Sequence, residues 1–203
     1  MKLRLAEVRD ARAISEIYRR YVEEGVFTLE TRAPSEEQVA AALGEPGGIY
    51  PFLLCEMEGQ RIAGFAYARR HEVFEAFGLP SAAADFNAEI FMSVAPSAGG
   101  RGIGRALYDA LEGLLRAMGV INLYSKVVAP NSRAQHFHMA LDYMEAGKLY
   151  KTGLKEGRWR NLILYHKSLA LHERRPAPIR PMRALSEEQI EESLRHGEQL
   201  FRR

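Results

Sequence analysis

The chain has 203 residues, of which 47% are hydrophobic, so it is long enough to bury the core of one domain. It carries 28 Lys and Arg against 26 Asp and Glu, and this near balance differs from the one-sided basic charge of a dedicated nucleic-acid-binding protein. No apolar stretch approaches the length of a membrane span, and the opening MKLRLAEVRD lacks the apolar region of a secretory signal. We therefore expect a protein of the cytoplasm, with no nucleic-acid or membrane partner.

The first half of the chain predicts a strand, two helices and a hairpin. KLRLAEV alternates as a strand does, and an amphipathic helix capped by Asp10 follows it as far as Gly25. Ser35 and Gln38 form a capping box for a second helix. YPFLLCEM and RIAGFAYARR are typical of two strands joined by a short turn, and residues 71–87 are predicted to be an irregular loop.

The second half continues the alternation of strands and helices, which is typical of an α/β fold. The strand AEIFMSVAP ends at Pro96, and the stretch SAGGRGIGRAL leads from it into a long helix that ends at Gly119. VINLYSKVV predicts another strand, residues 132–141 a short helix, and the following segment a closing hairpin that turns at Gly157.

The last part of the chain differs in composition. ERRPAPIRPMR is typical of a linker, and the helix that follows it begins with a capping box but has only a sparse apolar stripe. We interpret residues 1–171 as one domain and residues 172–203 as a Pro/Arg-rich linker and a C-terminal helical tail. This tail is expected to be loosely docked or disordered rather than a partner-binding helix.

The glycine stretch predicts an anion site, because a glycine turn between a strand and a helix exposes unpaired N–H groups at the positive end of the helix dipole. A nucleotide P-loop requires a lysine before Ser or Thr, and no lysine lies between Ser97 and Leu107. A dinucleotide fingerprint requires Gly or Ala at its sixth position, where this chain offers only Leu107 or Arg105. Neither of these two loops fits.

The motifs resemble those of the GNAT superfamily of N-acetyltransferases. GGRGIG is similar to its pyrophosphate loop, Gln/Arg-x-x-Gly-x-Gly/Ala, with Gly99 at the leading position. The segment PNSRAQHFHMALDY resembles a second family motif, in which Asn131, Ala134, His138 and Tyr143 match and Asp142 replaces a glycine. FNAEIFMSV and the Gly-Arg-Trp of KEGRWRNLILYHKSL resemble the phosphinothricin and methionine sulfone acetyltransferase branch, and the likeness covers residues 3–169.

This resemblance implies a mixed, twisted sheet flanked by helices, acetyl-CoA as the cofactor, no metal, and a homodimer. It implies that Glu89 accepts the ammonium proton of the acceptor, directly or through a water, and that His138 protonates the departing thiolate. A backbone N–H near Ser93 or Val94 would polarise the thioester carbonyl. The residues implied for cofactor binding are Ser93, Val94, Gly99, Gly100, Arg101, Gly102, Ile103, Gly104, Arg105 and Asn131.

The acceptor is predicted to be a small amine of the amino-acid type. Arg69 or Arg70 could bind its carboxylate, although adjacent strand residues point to opposite faces, and Phe86 stands where the branch carries Trp. A peptide or protein N-terminus is an alternative acceptor. A second alternative is that the protein is not an enzyme but a non-catalytic acyl-CoA-binding regulatory module. Cys55 lies in an apolar run, which favours a packed thiol and direct transfer in a ternary complex over an acetyl-cysteine route.

Overall fold

The computed structural model describes residues 1–44, 49–71 and 86–202, apart from the side chain of Gln60. Most of the predicted irregular loop, residues 72–85, lies outside the described residues. Among the helices that are described, none has both the length and the apolar character that crossing a membrane would need.

Seven strands in the described part of the chain form one mixed sheet, in the spatial order β1-β2-β3-β4-β5-β7-β6. All neighbouring pairs are antiparallel except β4 and β5, which run parallel. This confirms the predicted sheet of the GNAT superfamily. The strands are β1 (Lys2–Leu5), β2 (Phe52–Met57), β3 (Arg61–Arg70), β4 (Asn87–Val94), β5 (Asn122–Ala129), β6 (Met144–Lys155) and β7 (Arg158–Ser168).

Within the described residues five α-helices accompany the sheet, and the predicted capping boxes begin two of them. The amide of Gln38 donates to Ser35 Oγ at 3.2 Å and the amide of Ser35 donates to Gln38 Oε1 at 2.8 Å. Ser186 and Gln189 repeat this exchange at the start of the last helix. The helices are α1 (Ala11–Glu23), α2 (Glu36–Gly44), α3 (Ile103–Met118), α4 (Ser132–Met139) and α5 (Glu187–Glu198).

The sheet separates two hydrophobic cores. Leu53 belongs to the core that contains α3, and Leu54 belongs to the core that contains α1 and α2. Because successive residues of a strand point to opposite faces, this adjacent pair shows that α3 covers one face and α1 and α2 cover the other. The α3 core is the larger of the two, and Leu107, Leu111, Leu114 and Met118 of that helix are fully buried.

β4 and β5 are paired over a short length only. Their parallel ladder runs from Asn87 opposite Asn122 to Glu89 opposite Tyr124. Beyond that point β4 stays paired with β3 as far as Val94, and β5 stays paired with β7 as far as Ala129. The two strands therefore separate immediately after Glu89, at the middle of the sheet.

The C-terminal segment packs against the domain, which differs from the expectation of a loosely docked or disordered tail. The amide of Arg180 donates to Met118 O at 2.8 Å, and the side chains of Met182 and Leu185 are buried. The sparse apolar stripe of the tail packs against the larger core, and α5 contacts both α3 and β1. A Cβ atom on Gly197 would lie 2.5 Å from the carbonyl oxygen of Ala106, so a missing side chain permits this close packing.

Candidate active site

The glycine stretch folds as a turn that leads from β4 into α3. Gly100 and Gly102 have φ angles of +81° and +79°, in the left-handed region that glycine adopts without strain. Gly102 is the N-cap of α3, and its carbonyl accepts from the amide of Ala106 at 2.9 Å. The preceding amides of the first turn have no acceptor within the helix. The turn thus presents the backbone donors that an anion requires.

Arginine side chains surround this turn. Arg101, Arg105 and Arg133 are exposed, and among the described residues no carboxylate pairs with any of their guanidinium groups. Nη2 of Arg133 lies 3.4 Å from the position that a Cβ on Gly99 would occupy. The charge and the donors at this turn fit the phosphates of coenzyme A.

Ser93 and Val94 lie on the part of β4 that has separated from β5. Ser93 is buried, and its Oγ has no hydrogen-bond partner among the described residues. The hydroxyl of Tyr21 donates to the carbonyl of Val94. A buried hydroxyl without a partner is rare in folded proteins, and a polar group of a bound molecule would complete its pairing.

Glu89 is buried at the point where the two strands separate, between two cationic side chains. Arg69 Nη2 donates to Oε1 at 3.1 Å, because Arg69 lies directly opposite Glu89 on β3, and Lys126 Nζ of β5 donates to Oε2 at 3.0 Å. Burial alone would raise the pKa of Glu89, but the hydrogen bonds and charges of Lys126 and Arg69 together lower it. Glu89 is therefore an ionised carboxylate at neutral pH.

His71 is a second buried group beside Glu89. Its Nδ1 lies 3.8 Å from Glu89 Oε2 and has no hydrogen-bond partner among the described residues. Its ring stacks on that of Tyr124, with 4.1 Å between the ring centroids. Burial lowers the pKa of His71 and outweighs the attraction of Glu89, so the imidazole is neutral at neutral pH. The motifs did not reveal His71 or Lys126, because only strand pairing brings them to Glu89.

His138 lies in α4 on the opposite face of the sheet from Glu89. Its partner Ser125 precedes Lys126, the partner of Glu89, and successive residues of β5 point to opposite faces. Nδ1 lies 2.8 Å from Ala134 O, which can only accept, so Nδ1 carries the proton of the neutral ring. Nε2, 2.9 Å from Ser125 Oγ, then accepts. Burial lowers the pKa of His138, which favours this neutral form.

Asn131 caps the short helix α4. Its Oδ1 accepts from the amide of Ala134 at 3.1 Å, which is the ordinary role of asparagine at an N-cap. The position lies at the end of β5, beyond the separation from β4. The structure thus shows a capping contact for Asn131, while its role toward a cofactor stays a prediction.

A cavity of about 810 Å³ lies between the first two helices and the sheet, and it reaches Arg69, the partner of Glu89. Phe65, Tyr67 and Phe91 line it, and so do both Arg69 and Arg70. Phe86 is not part of this lining and borders a separate cavity of about 230 Å³ with Asn87 and Asn122. The structure therefore brings the two predicted arginines to one cavity, where Arg69 is also paired with Glu89, and places Phe86 elsewhere.

Comparison with known proteins agrees with this geometry. The model of the acetyltransferase (GNAT) family matches residues 12–143. The chain belongs to this family. It is an acetyl-CoA-dependent N-acetyltransferase, since acetyl-CoA is the co-substrate of the family and its relatives are named acetyltransferases.

Three of the relatives illustrate the likeness. A phosphinothricin N-acetyltransferase of Streptomyces coelicolor is 28% identical over 163 residues, which cover 79% of this chain and 91% of that protein. The L-amino acid N-acyltransferase MnaT of Escherichia coli is 26% identical over 178 residues, or 86% of this chain and 96% of that protein. The crystal structure of a Sinorhizobium meliloti phosphinothricin acetyltransferase with AcCoA superposes with a TM-score of 0.73 at 31% identity, over 82% and 86% of the two chains.

Proposed function

We propose that this acetyltransferase acetylates the amine of a small amino-acid-like molecule by direct transfer in a ternary complex. The observation that carries the proposal is the position of Glu89, an ionised carboxylate where β4 and β5 separate, which is hydrogen-bonded to Arg69, one of two arginines that line a cavity. The names of the relatives support the same class of acceptor, because they specify phosphinothricin and L-amino acids.

The cavity offers complementary groups for each part of such an acceptor. Its aromatic lining suits an apolar side chain, and the guanidinium groups of Arg69 and Arg70 suit a carboxylate, which arginine binds through two parallel hydrogen bonds. The carboxylate of Glu89 suits the ammonium group. An acceptor that carries all three groups would place its nitrogen next to the separated strands.

Arg69 connects the acceptor's carboxylate to the base. It lines the cavity and also donates to Glu89 Oε1, so an acceptor carboxylate that engages Arg69 competes with Glu89 for the same cation. Loss of that cation raises the pKa of Glu89, because burial, which favours the protonated acid, is then opposed by Lys126 alone. An amino-acid acceptor therefore makes Glu89 a better base than a simple amine does.

We propose that Glu89 and His71 together remove the proton of the acceptor's ammonium group. Glu89 attracts the ammonium and accepts its proton, directly or through a water. The neutral His71, with Nδ1 3.8 Å from Glu89 Oε2, is the next group able to hold that proton. A neutral amine is the form that attacks a thioester carbonyl, so removal of this proton is what the site must achieve.

Acetyl-CoA supplies the activated acetyl group as a thioester. The amides and arginines of residues 99–105 would hold its phosphates, and the backbone near Ser93 and Val94 would contact the thioester end. Protonation of the thiolate by His138 stays a prediction, and it requires that Nε2 first gain a proton, since this atom is an acceptor in the neutral ring. The homodimer and the cytoplasmic location also stay predictions, and light scattering of the purified chain tests the first.

The decisive experiment combines an acceptor panel with the variant Glu89→Gln. Thiol release from acetyl-CoA is measured with amino acids, their sulfone and sulfoximine analogues, polyamines and short peptides. We expect turnover with an amino acid, and a fall in kcat of roughly 10²- to 10⁴-fold in Glu89→Gln. Calorimetry should show nearly unchanged affinity for CoA, and Glu16→Gln, which removes an exposed carboxylate on α1, serves as the control.

The other outcomes separate the alternatives. Turnover confined to peptides would identify a peptide or protein N-terminal acetyltransferase. CoA binding without turnover on any acceptor would favour a regulatory binding module. A large loss of CoA affinity in Glu89→Gln with unchanged kcat would remove Glu89 from the role of base.

A further inference from the structure

The C-terminal end of the chain lies on the glycine turn. Helix α5 runs antiparallel to α3, because Ser193 lies beside Gly113, Gly197 beside Ala106 and Leu200 beside Gly102. The C-terminal end of α5 therefore reaches the N-terminal end of α3, which is the end that carries the candidate phosphate site.

Polar contacts fix this path. The amide of Leu3 donates to Glu198 Oε1 at 2.7 Å, which fastens α5 to the edge strand β1. His196 Nδ1 lies 2.5 Å from Asp109 Oδ2 of α3. Together with the close approach at Gly197, these contacts hold the last turn of α5 against the first half of α3.

The residues after α5 contact the turn itself. The amide of Arg202 donates to the carbonyl of Arg101 at 2.9 Å. A Cβ atom on Gly102 would lie 2.5 Å from Leu200 O and 3.1 Å from the amide nitrogen of Arg202. The side of Gly102 that a side chain would occupy is therefore filled by the chain's own C-terminal segment.

This contact adds a cation to the arginines already at the turn. The guanidinium of Arg202 is exposed, and no carboxylate among the described residues pairs with it. Its backbone is hydrogen-bonded to Arg101, one of the three arginines around the turn. Coenzyme A carries a pyrophosphate and a 3′-phosphate, and a cluster of unpaired arginines is complementary to such an anion.

We propose that the C-terminal segment 199–202 is part of the coenzyme A site. Its backbone supports the glycine turn at Arg101 and Gly102, and Arg202 binds a phosphate group of the coenzyme. The inference rests on the proposed function, since it assumes that the turn holds the phosphates. It gives the tail, which lies outside the residues that the family model matches, a role in binding the co-substrate.

Calorimetry of CoA and 3′-dephospho-CoA with the full chain tests this assignment. Arg202→Gln is expected to weaken CoA binding about three- to tenfold at low salt, with a smaller loss at high salt because the interaction is screened. If Arg202 binds the 3′-phosphate, the loss disappears with 3′-dephospho-CoA, and if it binds the pyrophosphate, the loss persists. Arg158→Gln, which removes an arginine from β7 near the opposite edge of the sheet, is the matched control.

A second variant tests the support of the turn by the backbone. Gly102→Ala places a Cβ 2.5 Å from Leu200 O, at a φ of +79° that also strains alanine, and it is expected to weaken CoA binding and to speed hydrogen exchange at the amide of Arg202. Wild-type binding of CoA together with unchanged affinity in both variants would overturn this inference alone. Absence of CoA binding in the wild type would overturn the proposed function and this inference together.

Discussion

Replacing Gly197 with alanine measures how closely α5 packs on α3. The new Cβ would lie 2.5 Å from Ala106 O and 2.9 Å from both Ala110 Cβ and Leu3 Cδ1. Contacting carbon atoms prefer about 3.5–4.0 Å, so the two helices must separate by about 1 Å. Overpacking of this kind costs about 1–3 kcal/mol. Alanine restores only about 1 kcal/mol through its higher helix propensity.

The free energy of unfolding is therefore expected to fall by up to about 2 kcal/mol in Gly197→Ala, instead of rising by about 1 kcal/mol as helix propensity alone would predict. Urea denaturation followed by circular dichroism measures it, and an unchanged m-value shows that the variant unfolds in the same manner. Gly147→Ala on β6 is the control, because a Cβ there meets nothing within 4 Å and should change the stability by less than about 0.5 kcal/mol. A Gly197→Ala variant about 1 kcal/mol more stable than the wild type would refute the close packing of α5.

Three further predictions each rest on one local feature: an ion pair, a buried thiol and a backbone angle. Lys126→Met removes one of the two cations that lower the pKa of Glu89, so this pKa should rise. In a profile of kcat/KM against pH, the acid limb should then move to higher pH. An acid limb that stays in place would contradict the pairing of Lys126 with Glu89. Burial raises the pKa of the Cys55 thiol to about 11, so a thiol reagent at pH 8 should react only with denatured protein, and rapid reaction of native protein would contradict its burial. Asp142 has a φ of +63°, in the left-handed region that a branched side chain adopts only with strain. Asp142→Val should therefore lower the free energy of unfolding, measured in urea, by about 1–2 kcal/mol, whereas Asp142→Gly should not lower it. A valine variant as stable as the wild type would exclude the left-handed backbone.

Local chemistry made much of the fold predictable. Capping boxes at Ser35 and Ser186 begin α2 and α5 where the sequence predicts, because a cap depends on residues only three positions apart. Asp142 stands where the resembling motif has glycine, and the structure gives this position a left-handed backbone, which aspartate tolerates better than most residues. Such features are readable because each depends on a few consecutive residues.

The docking of the tail was not predictable in the same way. Its apolar stripe is sparse, and apolar periodicity alone indicates weak packing. The contact depends instead on Gly197, whose missing side chain lets two backbones approach, and on Glu198, which accepts from the amide of Leu3 at the far end of the chain. Neither feature produces a periodic signal, because both depend on a partner that is distant in sequence.

The candidate site was likewise predictable only in part. The motif resemblance selected Glu89, but it could not reveal that Lys126 and His71 lie beside it, since Glu89 is on β4, Lys126 is on β5 and His71 follows the end of β3. It also could not reveal that His138 donates from Nδ1 to a backbone carbonyl, a contact that sets the tautomer of the ring. Residue identity is visible in a motif, whereas the charge state of a residue depends on its neighbours in space.

The pairing of Arg69 with Glu89 gives the proposed function a kinetic consequence. An acceptor that carries a carboxylate can draw Arg69 from Glu89 and so raise the pKa of the base, while an amine without a carboxylate leaves both cations in place. An amino acid and its decarboxylated amine should therefore differ in kcat, in addition to the difference in KM that a lost binding contact produces. Thiol-release kinetics on such a matched pair measures both constants. A pair that differs in KM alone would show that Arg69 only binds the acceptor and leaves the pKa of Glu89 unchanged.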